Sequence, residues 1–262
     1  FKENMKLLIV TSEPLNPQNI LSSTFELSQA KILKEKLEVS IISVSPPDSL
    51  SASVKAFFKT LFSPGILSGL KAATIRIRNI KSVLAGRGNE ASVRYIIDGV
   101  SVYEGKNYKY FSKSGFSREV KDWVNAGLAA YSDYISQCGK PDLVHAHGRF
   151  MYAGALALEI KRESAVPYIY TEHSSSYKSG TAPAAARPVL SEIINNASAV
   201  IAVSASLLKA LEAYLGRKIE GAVVMPNVLD PVFEAPAEMK NLQEQFKFIS
   251  IASFLPIKGL DI

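Results

Sequence analysis

The stretch DLVHAHGRFMYAGALALEIKRESAVPYIYTEH, residues 142–173, decides the fold. It opens on a short apolar run at 142–147, continues through 150–162 with apolar residues at helical spacing, and closes on a second apolar run at 167–172. Strand, helix and strand in that order make a βαβ unit, the connection that two parallel strands require. The alternation extends in both directions. Upstream, KLLIVT (6–11) and VSIISV (39–44) read as strands joined by a helix over 24–37, and SVRYIIDGVSVYEG (92–105) reads as a hairpin turning at Asp98-Gly99. Phe116, Val120, Trp123, Val124, Gly127, Leu128, Tyr131 and Ile135 then mark one face of a long helix. Downstream come helices over 187–196 and 205–215, and strands over 199–204 and 222–227. The expected fold class is α/β, a doubly wound, mostly parallel Rossmann-like sheet covered on both faces. A barrel needs eight strand–helix units, more than this chain offers.

Composition agrees with a large buried core: 262 residues, 47% hydrophobic and 21% charged. A single cysteine, Cys138, excludes an internal disulfide. With no segment patterned as a leader, a reducing, cytoplasmic location is expected. No apolar run approaches the ~20 residues that span a bilayer, so any membrane contact is expected to be peripheral.

Net charge is +6, and its distribution is uneven. Between Asp48 and Glu90 there is no acidic residue, while Lys55, Lys59, Lys71, Arg76, Arg78, Lys81 and Arg87 alternate with apolar side chains. Residues 49–89 read as a basic helical insertion broken at Pro64-Gly65, suited either to an anionic membrane surface or to packing with a solvated basic face. No nucleic-acid reader motif accompanies the charge, and nucleic acid is not an expected partner.

All three histidines fall at strand ends. His145 and His147 are two apart and project to one side of an extended strand, and His173 follows 167–172. Ser204 and Asn227 close two further strands in the same way. In open α/β sheets ligands bind at this carboxyl edge, although any one such residue commonly does no more than cap a loop. Ser22, Ser23 and Thr24 stand at a helix start, where hydroxyls and free N–H groups hold a phosphate or simply cap the helix. Three histidines also suit an open zinc site in a metal-dependent hydrolase, although no fourth histidine exists and Glu172 points to the opposite side from its neighbour. There is neither G-x-S-x-G for a serine hydrolase nor G-x-G-x-x-G for a dinucleotide. A non-catalytic α/β ligand-binding module is the remaining alternative.

The segments DLVHAHGRFMYAGALALEIKRESAVPYIYTEHSSSY, ASAVIAVSASLLKAL, VVMPNVLDPVF and FKFISIASFLPIKGLDI, in this order, resemble the retaining GT-B glycosyltransferases of the "group 1" family, family 4. The resemblance runs from about Asp142 to Ile262, with MKLLIVTSEPLNP fitting the first strand and loop. It implies two Rossmann-like domains across a cleft, the first holding a glycan, lipid-linked or small-molecule acceptor and the second a nucleotide-diphosphate sugar. It further implies transfer with retention and no required cofactor or metal. His147 matches the histidine beside the reacting sugar, where a neutral imidazole accepts from and orients a hydroxyl. His145, Glu172 and His173 are implied to support the same cleft wall.

The family's G-R-x-x-x-x-K-G segment, which holds the donor diphosphate, appears here as ASFLPIKG, with Lys258 in place and Ser253 where arginine is usual. The expected organisation is an acceptor-side domain over 1–228, a linker over 229–245 and the start of a donor domain over 246–262. The paired glutamates of the family's donor site have no counterpart in these residues, so the chain is expected to be inactive by itself.

Overall fold

The computed structural model describes residues 5–15, 24–46, 48–49, 92–109, 116–149 and 151–229. Expectations for Ser22, Ser23, Ser253, Lys258, the side chain of Thr24, nearly all of 49–89 and everything after Leu229 lie outside them. The chain divides into two units, Phe1–Leu229 and Asp230–Ile262, and the described residues belong to the first.

The elements follow in order: β1 (Lys6–Thr11), α1 (Thr24–Leu33), β2 (Glu38–Val44), β3 (Asp48–Ser49), β4 (Ser92–Ile97), β5 (Val100–Gly105), β6 (Tyr108–Lys109), α2 (Phe116–Cys138), β7 (Leu143–Gly148) and α3 (Tyr152–Ser164). Then come β8 (Tyr168–Glu172), the single turn α4 (Ser176–Ser179), a 3₁₀ turn at Ala184–Ala186, α5 (Arg187–Asn196), β9 (Ala199–Ala202), α6 (Ala205–Leu215) and β10 (Val223–Val224). Eight strands form one sheet in the order β10-β9-β8-β7-β1-β2-β5-β4, while β3 and β6 pair separately. All pairs in the large sheet are parallel except β4 with β5, the hairpin that turns through positive φ at Asp98 and Gly99. The fold is therefore the doubly wound, Rossmann-like α/β sheet.

Side-chain parity sorts the core into two layers. Leu8, Val10, Ile42, Tyr103, Val144, Tyr168 and Val200 face α2, α3, α5 and α6, with Trp123, Ala130, Leu156, Ile160, Leu190, Ile193 and Leu211 packed on them. Leu7, Ile9, Val39, Ile41, Val100 and Val102 face the other way and meet Leu27, Ala30 and Leu33 of α1. Among the described residues only α1, ten residues long, packs on that second face of the sheet's centre. On the first face strand and helix approach closely at Gly105, where an added Cβ would stand 2.0 Å from the Ala126 carbonyl oxygen. No side chain larger than hydrogen fits there.

Several boundaries depart from expectation, among them a strand over 199–204 that ends at Ala202. α1 stops at Leu33, and the Lys34–Lys36 segment tightens into a turn whose last bond runs from Leu37 N–H to the Leu33 carbonyl. The helix expected over 150–162 runs from Tyr152 to Ser164. The strand expected over 222–227 reduces to Val223–Val224: Met225 N–H still bonds the Ala202 carbonyl, but Pro226 has no N–H with which to continue the ladder. Among the described residues no helix is long and apolar enough to cross a membrane.

Candidate functional site

The chain runs outward from β1 to β2 and β5, then returns to place β7 on the other side of β1. The ends of β1 and β7 thus form the topological switch point, where the flanking connections diverge and leave a crevice. Register puts Thr11 beside His147, and His147 beside Thr171. Residues paired in a parallel sheet share a face, so His145, His147 and Thr171 all lie on the α1 side.

Three contacts organise the cluster. His145 Nε2 lies 2.7 Å from Thr171 Oγ1, His147 Nδ1 lies 2.9 Å from His173 Nε2, and the rings of His145 and His147 stand 4.2 Å apart. Phe25 of α1 covers them, its ring centre 4.4 Å from that of His173. Burial pushes His145 down to about 4 and His147 well below the usual histidine range, the latter helped by the neighbouring His145 and His173. His173 is also pushed down to about 4 by burial, then by His145, against the opposing pull of Asn227. All three are neutral imidazoles at pH 7, each offering one donor and one acceptor nitrogen. His147 Nε2 is buried with no hydrogen-bond partner among the described residues. His173 Nδ1 likewise has no partner of hydrogen-bond geometry among the described residues, although Asn227 lies near enough to raise the pKa of this ring.

The backbone beneath is tied just as closely. Ser12, directly after β1, donates from its hydroxyl to the His147 carbonyl at 2.7 Å and accepts from the Arg149 and Ala153 N–H groups at 3.1 and 3.3 Å. The residue before α3, Met151, makes no side-chain cap, and Ser12 takes over that role from another strand. Glu13 and Arg149 form an ion pair across the same gap.

Glu172 occupies the other face. It is 0% exposed, accepts from the Tyr170 and Tyr177 hydroxyls at 2.6 and 3.1 Å, and accepts from the His173 and Ser174 N–H groups at 2.9 and 2.8 Å. Burial pushes it up to about 7 against the pull of these four donors. It fixes the loop carrying His173 from behind and does not itself line the crevice. Ser204 is likewise not with the histidines: exposed, it accepts from Leu207 N–H at 3.1 Å and caps α6. Asn227 does line the crevice, together with Phe25, Gln29, Ile201, Met225, Pro226 and Val228, which the sequence did not mark.

The crevice has a volume of about 20 Å³, roughly enough for one water, so the histidines form a wall and not a container. His147 Nδ1 pairs with His173 Nε2 and His145 Nε2 with Thr171, which leaves His147 Nε2 and His173 Nδ1 unpaired among the described residues. Among the described residues no three histidine, cysteine, aspartate or glutamate side chains are arranged to hold a metal ion.

A doubly wound sheet with three imidazoles at its switch point places neutral hydrogen-bonding side chains where folds of this kind bind ligands. The chain matches the family model described as Glycosyltransferase Family 4 over residues 73–233, more than half its length, and it belongs to that family. It is a GT-B glycosyltransferase domain, and its substrates are a sugar donor and an acceptor. No curated protein matches the chain.

Proposed function

We propose that this domain is the acceptor-side half of a retaining hexosyltransferase that uses a nucleotide-diphosphate sugar and a glycan, lipid-linked or small-molecule acceptor. The bond from the sugar's anomeric carbon to the diphosphate breaks, the nucleoside diphosphate leaves with the electron pair, and the acceptor oxygen bonds to that carbon as its proton passes to the departing diphosphate oxygen. His147 lies beside the reacting sugar and accepts from one of its hydroxyls. The supporting observation is the buried His147 Nε2 without a partner, on a ring whose Nδ1 is held by His173. A proton on Nδ1 directed at His173 leaves Nε2 free to accept. His145 and His173 position His147: a neutral His173 with its proton on Nδ1 presents Nε2 to accept from His147 Nδ1–H. Diphosphate charge is met by Lys258 and the neighbourhood of Ser253, without metal, in a second domain beginning near 246, while residues 49–89 approach an anionic membrane on the cytoplasmic face.

The test is nucleoside diphosphate release and sugar transfer by the full-length protein with uridine, guanosine and adenosine diphosphate sugars, with and without chelator. The expected result is chelator-insensitive turnover of one donor, falling about 100-fold or more in His147→Ala, as loss of substrate positioning predicts. Turnover unchanged in the variant, or no donor turned over, overturns the reading.

A further inference from the structure

A second cavity opens at the same edge of the sheet, on the α2 and α3 face. It has a volume of about 280 Å³, against about 20 Å³ for the histidine crevice. Ser12 and Pro14 after β1, Ser45 and Pro46 after β2, and Asn107 after β5 form one side; Glu119 and Trp123 of α2, with Tyr152 of α3, form the other.

The local structure follows from sequence spacing. Glu119 and Trp123 are four apart on α2 and so share a helical face. The close approach at Gly105 seats the end of β5 against α2 and brings Asn107 alongside that face. Trp123 and Tyr152 lie with ring centres 5.6 Å apart at 41°, making an aromatic wall from two different helices.

Asn107 supplies the second, independent observation. It is 5% exposed; its N–H is held by Ser45 Oγ at 3.2 Å, but its side-chain Oδ1 is buried and has no hydrogen-bond partner among the described residues. A buried amide carbonyl without a donor destabilises the empty state, and a turn of this lining side chain that brings it to a ligand hydroxyl removes that cost.

We propose that this cavity is a binding subsite for an uncharged pyranose ring, with the apolar face of the sugar against the Trp123–Tyr152 wall and its hydroxyls on Asn107 and Glu119. The volume lies just under the range of about 300–1,000 Å³ usual for ligand pockets, the size of one ring and not of a dinucleotide. The described lining residues include a carboxylate and neither lysine nor arginine, so among them a phosphate or acidic sugar meets no cation. The negative charge of Glu119 is felt locally: after burial itself, it is the next cause holding the Tyr152 hydroxyl above its ordinary pKa. A hydroxyl-rich neutral ring satisfies both halves of the lining, since carboxylate and amide oxygens accept while the rings cover C–H groups.

Naming this ring as part of the acceptor rests on the glycosyl-transfer reading; the binding of a neutral sugar does not. Trp123 is the one tryptophan in the sequence, so its emission reports this cavity directly. The 262-residue chain is titrated with the methyl glycosides of glucose, galactose and mannose, and with glucose 6-phosphate and inorganic phosphate, using sorbitol to correct for bulk effects. The expected result is a saturable emission change with at least one neutral glycoside, none with phosphate, and weaker binding of glucose 6-phosphate than of that glycoside. Asn107→Ala weakens binding about tenfold, the loss of one buried hydrogen bond, with the melting temperature kept. Glu119→Gln, which preserves shape, weakens it as well. A flat emission with all three glycosides, undiminished affinity in a folded Asn107→Ala, or tighter binding of the phosphorylated sugar overturns the proposal. Sugar binding without transfer would instead remove the catalytic reading and leave the subsite standing.

Discussion

The histidine crevice and the tryptophan cavity share one edge of one sheet, yet their polar groups are used in opposite ways. In the crevice the polar atoms mostly hold each other: His145 to Thr171, His147 to His173, and Glu172 behind them to four donors. Little space remains, and what is left unpaired is two buried imidazole nitrogens, His147 Nε2 and His173 Nδ1. In the cavity the aromatic and amide groups border open volume, and Asn107 Oδ1 waits for a donor. A buried network of satisfied groups fixes geometry, whereas a buried unsatisfied group selects a ligand. Orientation and capture are therefore divided between the two faces of the sheet, with Ser12 shared: it lines the cavity and binds the backbone of His147.

Removing Glu172 is the most direct way to break this division. Glu172→Leu strands two tyrosine hydroxyls and two backbone N–H groups in a site with no water access. At about 1–3 kcal/mol for each stranded donor, partly relieved by rearrangement, the loss should reach about 4 kcal/mol. The melting temperature should fall by about 10 °C, read by circular dichroism. Where the variant is still folded, the response of Trp123 to methyl glycosides should persist. If that response vanishes together with His147-dependent turnover, the two sites are not separable.

The opposite lesion is Gly105→Ala. Its new Cβ meets backbone, which cannot swing aside as a side chain tip can, so β5 must part from α2. The expected cost is about 3 kcal/mol, at the upper end for overpacking. Glycoside binding should weaken with it. A chain as stable as the parent with unchanged sugar affinity would show that the close approach has no bearing on the cavity.

What could be read from sequence follows the same division. Apolar runs alternating with helical segments were enough for the sheet and its parallel strands, because burial on both faces leaves an unmistakable pattern. His145 and His147 shared a face by parity alone. His173 was marked by its own strand end, but Thr171 and the pairings themselves did not show: both partners lie more than twenty residues away and join the pair only through the register of β7 with β8. Trp123 was visible as part of a helical stripe, but a stripe shows what faces the core and not where the core stops and a cavity begins. Asn107 sits in a short connection with no periodicity, and its importance comes from burial, which spacing does not record. Glu172 stood beside a histidine in sequence and across the sheet from the crevice in space, as alternation along a strand requires.

A smaller effect separates the electrostatics of the α1 face. Glu26 is buried and pushed up to about 7, by desolvation first, against a backbone hydrogen bond that lowers it. Its folded pKa lies above that of the unfolded chain, so its contribution to stability is complete below about 4.5 and is lost as pH rises through 7. His145 and His173 run the other way: their folded pKa values near 4 lie below 6.5, so stability is full above 6.5 and lost as pH falls toward 4. Glu26→Gln should therefore stabilise the chain at pH 8 by about 2–3 kcal/mol and leave it nearly unchanged at pH 4.5, measured by urea denaturation. Equal effects at both pH values would mean that Glu26 ionises normally in the folded chain.

The smallest expected effect concerns Ser204, which sequence position alone could not separate from the ligand-binding strand ends. A serine just after an apolar strand and just before ASLLKAL fits a sheet-edge contact and a helix N-cap equally well. The structure gives the cap, with Leu207 N–H bound to its hydroxyl. Ser204→Ala should cost about 1 kcal/mol, the usual loss of a capping oxygen, and Ser204→Gly less, because glycine leaves the N–H groups open to water. Neither should alter sugar affinity at Trp123 or the His147-dependent rate once the melting temperature is taken into account. If Ser204→Ala reduces turnover at a temperature where the chain is fully folded and Ser204→Thr, which also caps, does not restore it, the hydroxyl contacts substrate. The carboxyl edge would then extend the site from β7 across to β9.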